Sequence, residues 1–264
     1  MTKKILEISA PSQVAKSVLA GDDTPEGLAE ITWLDVRKVE RTEIADKRLL
    51  NIDVVSAMPY RVGKRYPRQR NYQGDYYFAQ VQRHVWHESL LEMRVLRWMD
   101  VHEHVEAIAS QPFKILFSDG TSHVPDYFAK LRGYRQLVID VKPTTLIDDK
   151  ARTQFRKTRA VCAQIGWEYE IRSERSAQED INLEFVAAFK HPAFRPQHQA
   201  ISQLMAALAR PLSIREAAEA LQQRTLAEGR SAVYHLICAR LLHMDLTSTL
   251  SDTSLVERND HAFL

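Results

Sequence analysis

The chain has 264 residues, a formal net charge of +2, 45% apolar residues and 27% charged ones, the composition of a folded protein with one large or two modest domains. The near-balanced charge excludes a general polycation, so any nucleic-acid surface must be a local patch. No apolar run reaches the length of a membrane span and the N-terminal MTKKILEISAPSQ has no signal-peptide core, so a cytoplasmic protein without membrane contact is expected. Cys162 and Cys238 fall singly within helical patterns, as reduced core thiols do.

Residues 1–60 form an N-terminal segment with weak signals: a short helix around 12–19, the polar break GDDTPEG, then mixed short strands. No chemistry is assigned there. The stretch RVGKRYPRQRNYQGDYYF follows, with Arg61, Lys64, Arg65, Arg68 and Arg70 interleaved with Tyr66, Tyr72, Tyr76 and Tyr77. Arginine binds phosphate bidentately and tyrosine can stack, so these five cations are candidate DNA contacts. A solvated loop leading into a strand is the alternative. Pro67 and Gly74 exclude only a helix.

Residues 87–99, HESLLEMRVLRWM, place Leu91, Val95 and Trp98 on one stripe of a buried helix. Glu92 is its candidate site residue, and Glu88, one turn earlier, is either a supporting carboxylate or a surface glutamate. His84 and His87 lack Cys partners or an HExxH pattern and are read as polar or phosphate-facing. Three strands follow: EAIASQPFKILF with Gln111, HVPDYFAKL with Asp126, and QLVIDVKP with Asp140 and Lys142. The turn signals SDGT and RGY between them suggest a meander. His123 is close to Asp126 in sequence and either touches DNA or has no role.

IDVKP carries the sharpest spacing. Alternate residues of a strand share a face, which sets the Asp140 carboxylate beside the Lys142 ammonium. Val138, Ile139 and Val141 make that strand apolar on both faces, hence central, where charge is costly unless paired or metal-bound. The carboxylates Glu92, Asp126 and Asp140 are the hard oxygen donors that Mg²⁺ or Mn²⁺ takes, and Lys142 beside them suits an attacking water or a charged phosphate.

After Pro143, LIDDKARTQFRKTRAVCAQIG reads as a helix that buries Phe155, Val161, Cys162 and Ile165 and exposes Lys150, Arg152, Arg156, Lys157 and Arg159. That basic face, with Arg156 and Lys157 as its candidate DNA contacts, is either a phosphate rail or an ordinary solvated surface. WEYEIRS alternates and adds a further strand, closing an α-β-β-β-α-β core. Residues 173–180 read as a polar linker. Beyond it, helical stretches, two short helices joined by a turn, a hydrophobic third helix and a strand pair resemble a winged helix. There Ser213 caps the first helix, and Arg230, Ser231, Tyr234 and His235 lie near the start of the recognition helix, with Arg230 and Tyr234 as candidate DNA contacts. Protein docking is the other use of this tail, which is not markedly basic.

With PD at Pro125 and Asp126 and DxK at Asp140 to Lys142, the sequence resembles the PD-(D/E)xK nuclease superfamily. The order and wording of HxSLLE, ASQPF, PDYF and IDVKP look like one branch in particular, the TnsA-like endonuclease subunits of heteromeric transposases, best over residues 60–175. The resemblance implies an α/β fold with a restriction-endonuclease-like αβββαβ core over residues 61–175 and a winged-helix-like domain over 176–264. It implies that Glu92, Asp126, Asp140 and Lys142 are catalytic, that the first three hold Mg²⁺ or Mn²⁺, and that Gln111 neighbours the site; some members carry Gln at the position of Asp140. It further implies a Mg-dependent endodeoxyribonuclease cutting double-stranded DNA at transposon ends, with a DDE-type transposase subunit and an AAA+ ATPase regulator as partners. A stand-alone restriction- or repair-type nuclease and a non-catalytic DNA-binding regulator that kept the fold are the alternatives.

Overall fold

The computed structural model describes residues 27–61 and 72–259. The helix expected at 12–19 and the cations Lys64, Arg65, Arg68 and Arg70 lie outside the described residues. The chain is mixed α/β and divides into two compact units, each discontinuous in sequence. Of the described residues, the first takes those up to 75 with 85–95 and 105–174; the second takes 76–84, 96–104 and those from 175 on. A boundary near 175 coincides with the polar stretch there.

In chain order, β1 (Glu30–Leu34) and β2 (Glu40–Ile44) are followed by the pair β3 (Gly74–Phe78) and β4 (Arg83–His87), then helix α1 (Leu90–His102). Next come β5 (Val105–Ser110), β6 (Phe113–Leu116), β7 (Ser122–His123), β8 (Tyr127–Leu131), β9 (Arg135–Val141), α2 (Asp149–Ile165) and β10 (Glu168–Arg172). One sheet has the order β10-β9-β8-β5, with β10 parallel to β9 and the other pairs antiparallel. The second has the order β2-β1-β6-β7 and is antiparallel throughout.

Two sequence expectations change here. EAIASQPFKILF is not one strand but two in different sheets, because Gln111 takes a left-handed φ of 47° and Pro112 has no N–H to continue a ladder. Nor do residues 28–58 stand apart from the unit that follows. β1 pairs with β6, and Ile31, Leu49 and Val54 are fully buried in one apolar cluster with Ile115, Phe128, Val138 and Ile165.

The strand β9 is central as its composition requires, with Leu137, Val138 and Ile139 fully buried. It follows β8 through a turn with left-handed backbone at Gly133 and Tyr134. Helix α2 begins where the Asp148 carboxylate accepts the Ala151 amide and ends at Gly166, whose φ of 99° only glycine adopts cheaply. It buries Phe155, Val161, Cys162 and Ile165. Behind the sheet, Trp167 sits 5.2 Å from Phe113 and 4.9 Å from Phe128 between ring centroids.

The second unit continues with α3 (Ala177–Ala187), α4 (His198–Ala207), β11 (Leu212–Ser213), α5 (Ile214–Ala220), α6 (Leu226–Cys238), β12 (Leu242–Met244) and β13 (Leu255–Arg258). Ser176 caps α3 by accepting the Glu179 amide, so the helix starts inside the stretch read as linker. Ser213 caps α5 as expected, in a reciprocal box with Glu216. The strands form a small sheet in the order β11-β13-β12. Thr225 caps α6, which therefore begins four residues before Arg230. Arg230, Ser231 and Tyr234 thus lie in its middle and His235 in its last turn, rather than at its start. Among the described residues no helix is long and apolar enough to cross a membrane.

Candidate active site

Asp126 stands between Pro125 and the first residue of β8, where the backbone is not yet committed to the sheet ladder. The Gln111 amide donates to its carbonyl at 2.8 Å, and the Val141 amide donates to its Oδ2 at 2.7 Å. One carboxylate is thereby fixed between two adjacent strands. Burial pushes its pKa well above the usual carboxylate range, and the charges of Asp140 and Glu92 add to that push against the Val141 amide and Arg61.

Asp140 is 2% exposed on the core strand β9. His123 Nε2 lies 2.8 Å from its Oδ1 and 2.9 Å from its Oδ2, and the Tyr169 hydroxyl donates to Oδ2 at 2.5 Å. The Gln154 amide donates to His123 Nδ1 at 2.7 Å, which leaves the ring proton on Nε2, facing Asp140. The expected pairing of Asp140 with the Lys142 ammonium is therefore replaced: Asp140 spends its oxygens on His123 and Tyr169. Lys142 lies just past β9 and keeps extended pairing, its amide donating to the Arg172 carbonyl at 2.9 Å and its carbonyl accepting the Ser173 hydroxyl at 2.7 Å.

Asp126, Asp140, Lys142, His123 and Arg61 line one cavity of about 590 Å³, with Lys150 and Gln154 of α2 on its wall. Glu92 meets Asp126 through its charge. Its own carboxylate does the work of a helix cap, accepting the Glu88 amide and the Ser89 hydroxyl, each at 2.8 Å, and the Tyr127 hydroxyl at 3.4 Å. Burial raises its pKa as well. Gln111 is 2% exposed, and neither atom of its side-chain amide has a hydrogen-bond partner among the described residues.

The candidate DNA contacts sort themselves by what holds them. Arg61 pairs with Glu88 at 2.8 Å at the cavity, which gives Glu88 its partner. Arg156 is exposed and donates to the Thr153 hydroxyl at 3.4 Å. Lys157 is held by Asp119 and lies over the Phe117 ring, so it is not a free phosphate contact. Arg230 is paired with Asp252. Tyr234 is 8% exposed and packs its ring against Phe185 and Phe189, 5.0 and 5.1 Å between centroids. Burial raises its pKa accordingly.

Sequence reasoning missed His123, Tyr169 and Gln154 as a group around Asp140. The alternation of WEYEIRS was a usable signal for Tyr169, since a strand beside β9 must present every second residue to the same side. His123 and Gln154 come from β7 and α2, and no spacing links them to Asp140.

Among the described residues no three His, Cys, Asp or Glu side chains converge as a ready-made metal cage. The donor chemistry nonetheless fits a hard divalent cation. Mg²⁺ is commonly held by one or two carboxylates, with waters and substrate phosphate completing its octahedron. Asp126 lines the polar cavity, and its pKa is raised first by burial and then by the charges of Asp140 and Glu92, the part that a cation would relieve. A scan against protein-family models finds no match for this chain, and a search of curated proteins finds none either.

Proposed function

We propose that the first unit is a metal-dependent endodeoxyribonuclease of the PD-(D/E)xK type, acting as a TnsA-like subunit that cuts DNA at transposon ends beside a DDE-type transposase and an AAA+ ATPase regulator. The observation that carries the reading is the meeting of Asp126, Asp140 and Lys142 on one polar cavity, from the ends of adjacent strands. The order α1, β5, β8, β9, α2, β10 supports a restriction-endonuclease-like core, as does the parallel placement of β10 beside β9.

In this reading Asp126 holds Mg²⁺ or Mn²⁺ with Glu92 and Asp140 contributing charge around it. A bound cation of this kind polarises a scissile phosphate and lowers the pKa of the attacking water. Lys142 lines the same cavity as Asp126 and offsets charge that builds on the phosphate. Arg61 and Lys150 hold flanking phosphates at the mouth and wall of the cavity. The nucleophile is water, with no covalent intermediate on the protein.

The second unit is read as winged-helix-like from the order α4, β11, α5, α6, β12 and β13, which follows α3. Four of its arginines pair with acidic neighbours: Arg210 with Glu216, Arg215 with Glu219, Arg224 with Glu228 and Arg230 with Asp252. Docking to a protein partner and contact with DNA are both proposed uses of this unit.

The test is cleavage of an end-labelled duplex carrying a transposon end, with Mg²⁺, by the protein with and without its partner transposase. The reading predicts near silence alone, cutting with the partner, and loss of cutting in Asp126→Ala and Lys142→Ala. Efficient cutting of plain duplex by the protein alone would make it a stand-alone nuclease, and absence of cutting with the partner present would leave a binding protein.

A further inference from the structure

We propose that Leu146 is an apolar DNA contact, seated against the sugar and base edges of the nucleotides beside the scissile phosphate. The inference rests on the reading of the first unit as a nuclease and adds to it the part of the substrate that carries no charge.

Single exposed leucines are ordinary on a protein surface and need no explanation. Leu146 differs by its place. It is 59% exposed, yet it lines the same polar cavity as Asp126, Asp140 and Lys142. It ends a short 3-10 turn, Thr144–Leu146, between β9 and α2, and the chain is braced on both sides of it. Ahead of it, the Lys142 amide donates to the Arg172 carbonyl and the Lys142 carbonyl accepts the Ser173 hydroxyl. The Thr144 amide donates to Glu174 Oε2 at 3.0 Å, and the Thr144 hydroxyl donates to the same carboxylate. Behind it, Ile147 packs against the buried pair Phe155 and Ile171, and Asp148 caps α2. Of two consecutive apolar residues, one turns to the core and the other is presented to solvent on a braced loop, which has little freedom left to lose on binding.

The ligand that fits such a lining carries phosphates and apolar surface side by side. Arg61, Lys142 and Lys150 answer the phosphates, and contacts of that kind position a duplex without touching its bases. Between its phosphates a duplex offers deoxyribose and base edges, and leucine is among the side chains that proteins press against them in a groove.

The experiment uses the full chain with and without its partner transposase, a duplex carrying a transposon end, and Ca²⁺ in place of Mg²⁺ so that no strand is cut. Fluorescence anisotropy over a range of salt separates apolar from charged contacts. Leu146→Ala is expected to weaken binding about tenfold, the scale of returning the outer carbons of a buried leucine to water, with the slope of log affinity against log salt unchanged. Leu146→Met, which restores the apolar bulk, should bind as the unsubstituted protein does. Leu146→Cys should form a disulfide with a duplex bearing a tethered thiol beside the cut, and not with one bearing it a helical turn away. Leu146→Ala binding as the unsubstituted protein does, or equal trapping at both thiol positions, overturns the inference. So does weakening seen only with the transposase present, which makes Leu146 a protein contact, and so does a lowered unfolding temperature of Leu146→Ala, which assigns the side chain to the fold. In each case the nuclease reading stands if the unsubstituted protein cuts with Mg²⁺ and its partner and Asp126→Ala does not. Absence of that cutting overturns both.

Discussion

The amide of Val141 donates to Asp126 Oδ2 at 2.7 Å, so the backbone of β9 fixes the carboxylate that introduces β8. The contact ties the position of Asp126 to the same strand that carries Asp140 and delivers Lys142. A shift in the pairing of β8 and β9 would break this contact and separate Asp126 from Asp140 and Lys142.

Without metal, Asp126 should weaken the fold at neutral pH. Its folded pKa is raised, first by burial and then by Asp140 and Glu92. A raised carboxylate pKa contributes stability that is present below the unfolded value and lost as pH rises through the folded value. In a chelator, Asp126→Asn is expected to unfold at a higher temperature than the unsubstituted protein at about pH 7.5, with the gap closing toward about pH 4, the unfolded carboxylate range. Added Mn²⁺ should raise the midpoint of the unsubstituted protein alone. Thermal scans over that pH range check it, and an Asp126→Asn midpoint below the unsubstituted one at neutral pH would contradict it.

Trp167 anchors the core of the first unit between Phe113 and Phe128, and its Nε1 donates to Gln136 Oε1 at 2.7 Å. Trp167→Ala should cost about 3–5 kcal/mol, the range for removing a large aromatic from a packed core. Urea unfolding followed by near-UV circular dichroism measures it.

Gly229 sits where α6 meets α5. A Cβ there would lie 2.6 Å from the Ala218 carbonyl oxygen and 3.1 Å from its Cβ. In an open helix, glycine to alanine stabilises by about 0.4–1 kcal/mol. Gly229→Ala should instead destabilise, by about 1–3 kcal/mol as for other overpacked sites, visible as an earlier unfolding transition of the second unit.

Arg61 stands at the cavity paired with Glu88. If it gives up that pair for a phosphate, Arg61→Ala should weaken duplex binding and lower the slope of log affinity against log salt by about one. Fluorescence anisotropy at several salt concentrations reads both, and an unchanged slope would remove Arg61 from the DNA contact.

The parts of this molecule legible in its sequence are those set by short-range rules. The spacing of Asp140 and Lys142 marked one strand, its unbroken apolar run marked that strand as central, and Ser213 announced a helix start three residues before Glu216. What was not legible depends on partners distant along the chain. Gln111 and Pro112 break a run that reads as one strand because β6 has its partner in β1, about eighty residues earlier, as the pairing of Ile31 with Ile115 shows. The company of Asp140 comes from β7, α2 and β10, which only the folded sheet brings together. Tyr234 reads as a surface residue of a recognition helix until Phe185 and Phe189 close over it.

The most direct test of the central claim is calorimetric titration of Mn²⁺ into the protein and its Asp126→Ala variant, each bound to a duplex, with Ca²⁺ as the non-catalytic control. The account predicts binding by the unsubstituted protein and none by the variant. Equal binding by both, or none by either, would contradict a metal-dependent nuclease site at Asp126.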